Sequence, residues 1–338
     1  MLGQTIPLRL LLLSITLALI ATACGDDGEG GTLTIYSGRS EDLVASLIDQ
    51  FETETGIDVE VRYASSTDLA ATLREEGTNS PADVFFAQDP ASLGAVALEG
   101  MFQALPDDIL TLVPAQFSDD EGRWVGVSGR SRVVVYDATR VSTDDLPDSV
   151  DGFTDPAWQG RIAIAPSNGS FLAFVAAMIL ERGEDATLEW LEAIAANDPE
   201  TFSGNSPIVA AANDGTVEVG LVNHYYLVRL RDELGEVSAA NYFFPTAGPG
   251  SLVMPAGVGI LSTTDNQDEA LEFVEFLLSQ TAQDYFVAET FEYPLIAGIA
   301  PDPSLPPIDS LSQPDIDLSD LAGVLDRATD LVAEAGLL

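Results

Sequence analysis

The first hundred residues alternate between two hydrophobic periods, and that alternation restricts the chain to an α/β architecture. Thr32 to Tyr36 reads as a short strand, Glu41 to Glu54 carries Leu43, Leu47, Ile48 and Phe51 at helical spacing, Gly56 stops the helix, and Ile57 to Tyr63 resumes strand alternation. A second helix over Thr67 to Glu76 and a buried strand at Ala82-Asp83-Val84-Phe85-Phe86 extend the pattern into a parallel sheet with helices on its faces. In such sheets ligands bind outside the carboxyl ends of the strands. Further on, Arg132 to Tyr136, Arg161 to Ala165, the run Val217 to Val222 and Gly257 to Ser262 read as strands. Phe171 to Arg182, Gln267 to Ser279 and Leu318 to Ala335 read as helices, the last reached through a proline-rich connector at Pro301 to Pro307.

The N-terminus says where the molecule works. Arg9 precedes the apolar stretch Leu10 to Ile20, which leads to Ala21-Thr22-Ala23-Cys24-Gly25, the arrangement of a secretory signal with small residues at its end. That stretch is shorter than the ~20 apolar residues of a spanning helix. Cys24, the single cysteine, resembles the lipidated residue of a bacterial lipoprotein, and Asp26 to Gly31 reads as a flexible acidic tether. The folded part is therefore expected outside the cytoplasm, held by Cys24 to the outer face of the cytoplasmic membrane. Stability has to come from apolar cores, because no second cysteine exists for a disulfide. With 55 acidic residues against 13 basic ones, all arginine, the formal charge is −42, which argues against nucleic acid as a partner.

Three strand-to-helix junctions share a chemistry. Ser167-Asn168-Gly169-Ser170, Asn205-Ser206-Pro207 and Asn223 each stand where a helix begins, so each is expected to cap it and to offer free backbone N–H groups. On one sheet edge, their N-termini would converge on an anion or a metal-bound anion. At the third junction the first turn holds Tyr225 and Tyr226. A tyrosine pair is ordinarily packing material between helix and sheet. At the positive end of a helix, or on a trivalent cation, a phenol that ionises near pH ~10 can instead be held as phenolate, a hard oxygen donor suited to Fe(III).

Several runs resemble the ferric-ion-binding proteins of bacterial iron ABC importers: Ile35-Tyr36-Ser37-Gly38-Arg39, Pro81-Ala82-Asp83-Val84-Phe85-Phe86, Ser128-Gly129-Arg130-Ser131-Arg132-Val133-Val134-Val135-Tyr136-Asp137, Asn223-His224-Tyr225-Tyr226 and Glu292-Tyr293-Pro294-Leu295. The likeness runs in order from about Thr32 to the C-terminus. It implies a periplasmic-binding-protein fold of the type II kind, two α/β lobes with crossing hinge strands and a central cleft. On that division the chain comprises a lipoprotein signal peptide (1–23), a tether (24–31), lobe 1 (32–128), lobe 2 (129–254), a return segment to lobe 1 (255–305) and a C-terminal helical segment packing on lobe 2 (306–338). The resemblance makes Tyr225, Tyr226 and Tyr136 metal ligands. It places a synergistic carbonate or phosphate at Asn168, Gly169, Asn205 and Asn223, with Arg39 or Arg130 as charge partners. It further implies Fe(III) as cargo, no enzymatic activity, a monomer, and delivery to an importer permease in the cytoplasmic membrane.

The chain also departs from that pattern. Ser40 stands where many members have a histidine ligand and Gln88 where some have a glutamate, so Glu41, Asp42, Gln88 and Asp89 are the candidates to complete the shell. His224, the only histidine, is displaced from the usual ligand position and is expected to face elsewhere. The same fold could carry an oxyanion, a polyamine or an organic acid instead. A secreted hydrolase is the alternative of another class, but one histidine, no usable cysteine and no Gly-x-Ser-x-Gly turn leave it little material. An acidic, lysine-free surface suits a protein kept soluble in concentrated salt, where charges are screened over a few Å. The free energy of unfolding should accordingly rise as sodium chloride is raised from low ionic strength; full stability with no salt dependence would contradict this.

Overall fold

The computed structural model describes residues 32–338; the signal segment, Cys24 and the tether lie outside the described residues. The chain opens with β1 (Leu33–Ser37), α1 (Glu41–Thr55), β2 (Val59–Tyr63), α2 (Ser66–Glu76), β3 (Val84–Ala87), α3 (Pro90–Leu98) and the single turn α4 (Asp107–Leu110). The long strand β4 (Val125–Asp137) follows, then β5 (Ile162–Ile164), α5 (Gly169–Arg182), α6 (Glu184–Ala196), β6 (Glu200–Thr201) and α7 (Asn205–Asn213). After these come β7 (Val219–Asn223), α8 (Tyr225–Leu234), β8 (Ala239–Tyr242), β9 (Val253–Ile260), α9 (Gln267–Leu277), α10 (Gln280–Tyr285), β10 (Tyr293–Pro294) and α11 (Leu321–Glu334).

The expected βαβ grammar holds: β1 pairs in parallel with both β2 and β3. Helix α1 buries Val44, Leu47, Ile48 and Phe51, an i, i+3, i+4, i+7 stripe. It ends where Gly56 adopts a left-handed φ of 77° and its N–H bonds to the Glu52 carbonyl, a conformation in which a Cβ would be strained. In the sheet the strands run β2-β1-β3-β9-β4-β7-β5-β6, with β8 and β10 also paired to β4.

Strand β4 joins the two halves. Its first part, Val125 to Ser131, pairs antiparallel with β9, and its second part, Arg132 to Tyr136, pairs antiparallel with β7. All thirteen residues are buried. Strand propensity predicts β4 only over Arg132 to Tyr136, because Gly126, Ser128, Gly129 and Arg130 lack it. Two of these glycines are needed for close packing. A Cβ on Gly126 would lie 2.8 Å from the Phe117 carbonyl oxygen, and one on Gly129 would crowd Leu295, Val253 and Tyr293.

The C-terminal helix reaches both halves. α11 packs on α5 and α6 of the second half but also on α3 of the first. Its buried stripe is Leu321, Ala328, Leu331 and Val332. Among the described residues no helix is long and apolar enough to cross a membrane. Because Leu331 is fully buried in the main core, Leu331→Ala should lower unfolding stability by about 2–5 kcal/mol in urea denaturation. A loss within error of zero would mean that α11 is not part of the cooperative core.

Candidate metal centre

Strand β7 is buried along its length between β4 and β5 and delivers the chain directly into α8. The turn between them is locked by His224. Its backbone N–H donates to the Ser131 carbonyl (3.0 Å), its Nδ1 accepts from the Ser131 N–H (3.1 Å), and its Nε2 lies 2.9 Å from the Phe291 carbonyl. Those partners require the Nε2–H tautomer, a neutral ring. Burial pushes its pKa down to about 4, outweighing the carbonyl of Phe291 and the charge of Glu292. His224 rather than Asn223 occupies the N-cap of α8. The Asn223 Oδ1 instead accepts from the Arg132 guanidinium at 3.1 Å.

This turn sets the tyrosine pair. The rings of Tyr225 and Tyr226 stack with centroids 4.2 Å apart and planes 28° apart. Tyr225 is 3% exposed, and burial holds its phenol well above the usual range. Tyr226 and Glu292 push the same way, while Arg130 opposes them. Tyr226 is half-buried and faces a cavity of about 180 Å³ between the two halves. From the first half, Gly38, Ser66, Gln88 and Asp89 line this cavity, and from the second, Asn168, Gly169, Ser170 and Asn223; Arg130 reaches it from β4. Helices α2, α3 and α5 all begin at its walls, so their free N–H ends favour negative charge there.

Of the residues singled out from the sequence, Tyr226, Arg130, Asn168, Gly169, Asn223, Gln88 and Asp89 meet at one cavity, with Tyr225 stacked behind Tyr226. Asn168 caps α5 as expected, its Oδ1 accepting from the Ser170 N–H at 3.1 Å. Asp89 caps α3 through the Ser92 N–H at 2.8 Å.

Four of the residues singled out do not line this cavity. Tyr136 pairs with Val219 at the far end of β7, whereas Asn223 pairs with Arg132; four residues of strand put it about 13 Å along β4, in the apolar core. Arg39 is spent on a buried ion pair with Glu292 at 2.9 Å, whose other oxygen accepts from Ser128 Oγ. Glu41 is exposed at the start of α1 and does not line the cavity. Asn205 stands behind the wall, donating to Asn168 Oδ1 at 3.2 Å and Ser170 Oγ at 3.1 Å, and the cap of its helix is Gly204.

Arg132 is not among the residues that the sequence singles out, yet it supports the cavity wall. It is buried, lies over the Phe174 ring at 5.5 Å, and donates to Asn223 Oδ1 and, at 3.4 Å, to Ser170 Oγ. Burial pulls its pKa down to about 9, against the influence of Tyr226. The signal for it was the period of two in Arg130-Ser131-Arg132, which puts both guanidiniums on one strand face.

His224 carries a consequence for stability. Its native pKa of about 4 lies below the unfolded value of 6.5, so its contribution is complete above pH 6.5 and is lost as the pH falls toward 4. Between pH 7 and 4 the metal-free protein should lose about 3 kcal/mol more than the His224→Gln variant in urea unfolding. Parallel pH profiles for the two would contradict a neutral buried ring.

A family model described as bacterial extracellular solute-binding protein matches residues 79–317. The chain is 35% identical to the Fe(3+)-binding periplasmic protein of Serratia marcescens, covering 98% of this chain and 97% of that one. It is 33% identical to the major ferric iron-binding protein of Neisseria meningitidis serogroup B, over 90% of this chain and 93% of the relative. Its fold superposes on the crystal structure of iron-bound HitA from Pseudomonas aeruginosa with a TM-score of 0.84 at 32% identity, covering 90% of this chain and 99% of HitA. The two-half α/β body with its cavity between the halves is thus the periplasmic-binding-protein fold, and the chain belongs to the bacterial extracellular solute-binding proteins, a family of transport proteins rather than enzymes, alongside relatives that include the ferric-ion-binding proteins.

Proposed function

We propose that this protein captures Fe(III) outside the cytoplasm and delivers it to an ABC importer permease. The observation that carries the reading is the stacked pair Tyr225 and Tyr226 at the start of α8, with Tyr226 on a cavity walled by helix N-termini. Two phenolates supply hard oxygen donors and cancel two of the three charges of the ion. Gln88 and Asp89 stand on the opposite wall, from which a closing half could complete the shell. An anion such as carbonate or phosphate would bridge the metal to Asn168, Gly169 and Asn223, with Arg130 as its charge partner. Iron named in the relatives, at 35% and 33% identity over nearly the whole chain, supports the same cargo. The leader over 1–23 and Cys24 fit a monomer tethered by lipid to the outer face of the cytoplasmic membrane, where the permease would be met.

Capture is coupled to protons. Without metal the phenol of Tyr225 stays protonated at neutral pH, because burial holds its pKa well above the usual range. Each phenol that binds iron releases its proton, so acid favours release. Adding Fe(III) should give a visible tyrosinate charge-transfer band. With both phenols involved, the apparent affinity should rise by about a hundredfold per pH unit near neutrality. Tyr225→Phe or Tyr226→Phe should abolish the band, whereas an unchanged band in the double variant would remove both residues from the site.

A further inference from the structure

The π-turn Phe286–Thr290 ends at Phe291, whose backbone is left-handed (φ 58°, ψ 27°). Among the described residues only one other non-glycine residue, Asp198, has a positive φ. The Phe286 carbonyl accepts from the N–H groups of Phe291 and Glu292, the latter at 3.0 Å, and from Thr290 Oγ1 at 2.8 Å. This is the closure of a helix C-terminus, where the left-handed residue is ordinarily glycine or asparagine because a larger side chain is crowded there. Glycine would relieve the strain, so the ring is what the strain retains.

Phe291 reaches from the first half to the head of α8. Just after it, Glu292 is tied to Arg39 at 2.9 Å and Tyr293 pairs with Gly129, which roots the segment in β1 and the first part of β4. The Phe291 carbonyl lies 2.9 Å from His224 Nε2, at the N-cap of α8. Its side chain packs against the cluster of Val228, Tyr293 and Leu305. Val228 is buried one turn beyond Tyr225, on the same face of α8. From within the second half, Asn241 Nδ2 donates to the His224 carbonyl at 2.8 Å. Phe291 holds the same residue from the opposite half.

We propose that Phe291 is a positioning residue: its left-handed backbone and its ring together fix the first turn of α8, so that contacts from the first half set where the Tyr225 and Tyr226 oxygens lie. The inference rests on the iron site proposed above and deepens it by naming what holds the ligands. With the carbonyl at the N-cap and the ring on the cluster one turn further along, α8 is held at two points, which fixes its axis as well as its start. The tyrosine rings are stacked 4.2 Å apart, so a tilt of the helix displaces both oxygens. Glycine at this position would supply the carbonyl and not the second point of support.

The test compares variants of the full chain by their tyrosinate band with Fe(III) and by competition for Fe(III) against nitrilotriacetate. Phe291→Gly keeps the left-handed backbone without strain and removes the ring. It should weaken iron binding by about tenfold or more and shift the band. Phe291→Leu keeps an apolar side chain at the same point and should recover most of the affinity and the band position. A Phe291→Gly variant that is folded by circular dichroism and keeps either the wild-type affinity or the wild-type band would overturn the inference, as would a Phe291→Leu variant no better than Phe291→Gly. Should Phe291→Gly fail to fold, Val228→Ala probes the same cluster from α8: it should shift the band, and a wild-type band would overturn the inference. Wild-type protein without a tyrosinate band would overturn the iron site itself, whereas an unshifted band in the variants would leave that site standing and remove only the role of Phe291.

Discussion

One buried strand holds this molecule together. β4 hydrogen-bonds to β9 and β10 in its first part and to β7 and β8 in its second, so the sheets of both halves are continued through a single length of backbone. A strand bonded on both edges and covered on both faces has little freedom to bend except where its pairing changes. That change falls between Ser131 and Arg132. The cavity opens at that point, and the side chains that define it are fixed from it: Ser131 holds His224, His224 holds the turn before the tyrosines, and Arg130 and Arg132 flank Ser131. The buried Arg39 to Glu292 pair, with Ser128 on the second oxygen, braces the same region against β1 and β10.

The electrostatics of this region run against those of the rest of the chain. The formal charge is −42, yet the cavity gathers helix N-termini and the buried Arg130 guanidinium, with the buried Arg132 behind its wall, neither with a carboxylate partner. His224 stays neutral, and burial favours the protonated phenol of Tyr225. Metal binding at Tyr225 would be linked to acidity, because burial favours its protonated phenol and that proton has to leave before the oxygen can bind a cation.

The helices and parallel strands of the first half were legible because their apolar periodicity is clean, as in Leu47, Ile48 and Phe51 of α1, although Val44 rather than Leu43 completes the buried stripe. The first part of β4 was not. Glycine, serine and arginine are found there because neighbouring backbone and the cleft demand small or charged side chains, and a propensity argument cannot see that demand. The site was legible in its members but not in its layers. Tyr225, Tyr226, Asn168 and Asn223 come from three different elements and do converge, whereas Tyr136 and Arg132 share one face of β4 and only their distance along it puts one in the core and the other on Asn223 and Ser170. Spacing could not show that Arg39 is consumed by Glu292, a residue 253 positions away. Nor could it show that a histidine would take the cap expected of Asn223, since that follows from the long-range bonds to Ser131 and Phe291.

The central claim is that the two phenol oxygens at the head of α8 hold the cargo metal. Crystals grown from iron-loaded protein, with diffraction recorded on both sides of the iron absorption edge, test it most directly. The account predicts one anomalous peak between the halves, within bonding distance of the Tyr225 and Tyr226 oxygens and beside the α5 N-terminus. An iron peak elsewhere, with both tyrosine oxygens still facing only protein, would contradict it.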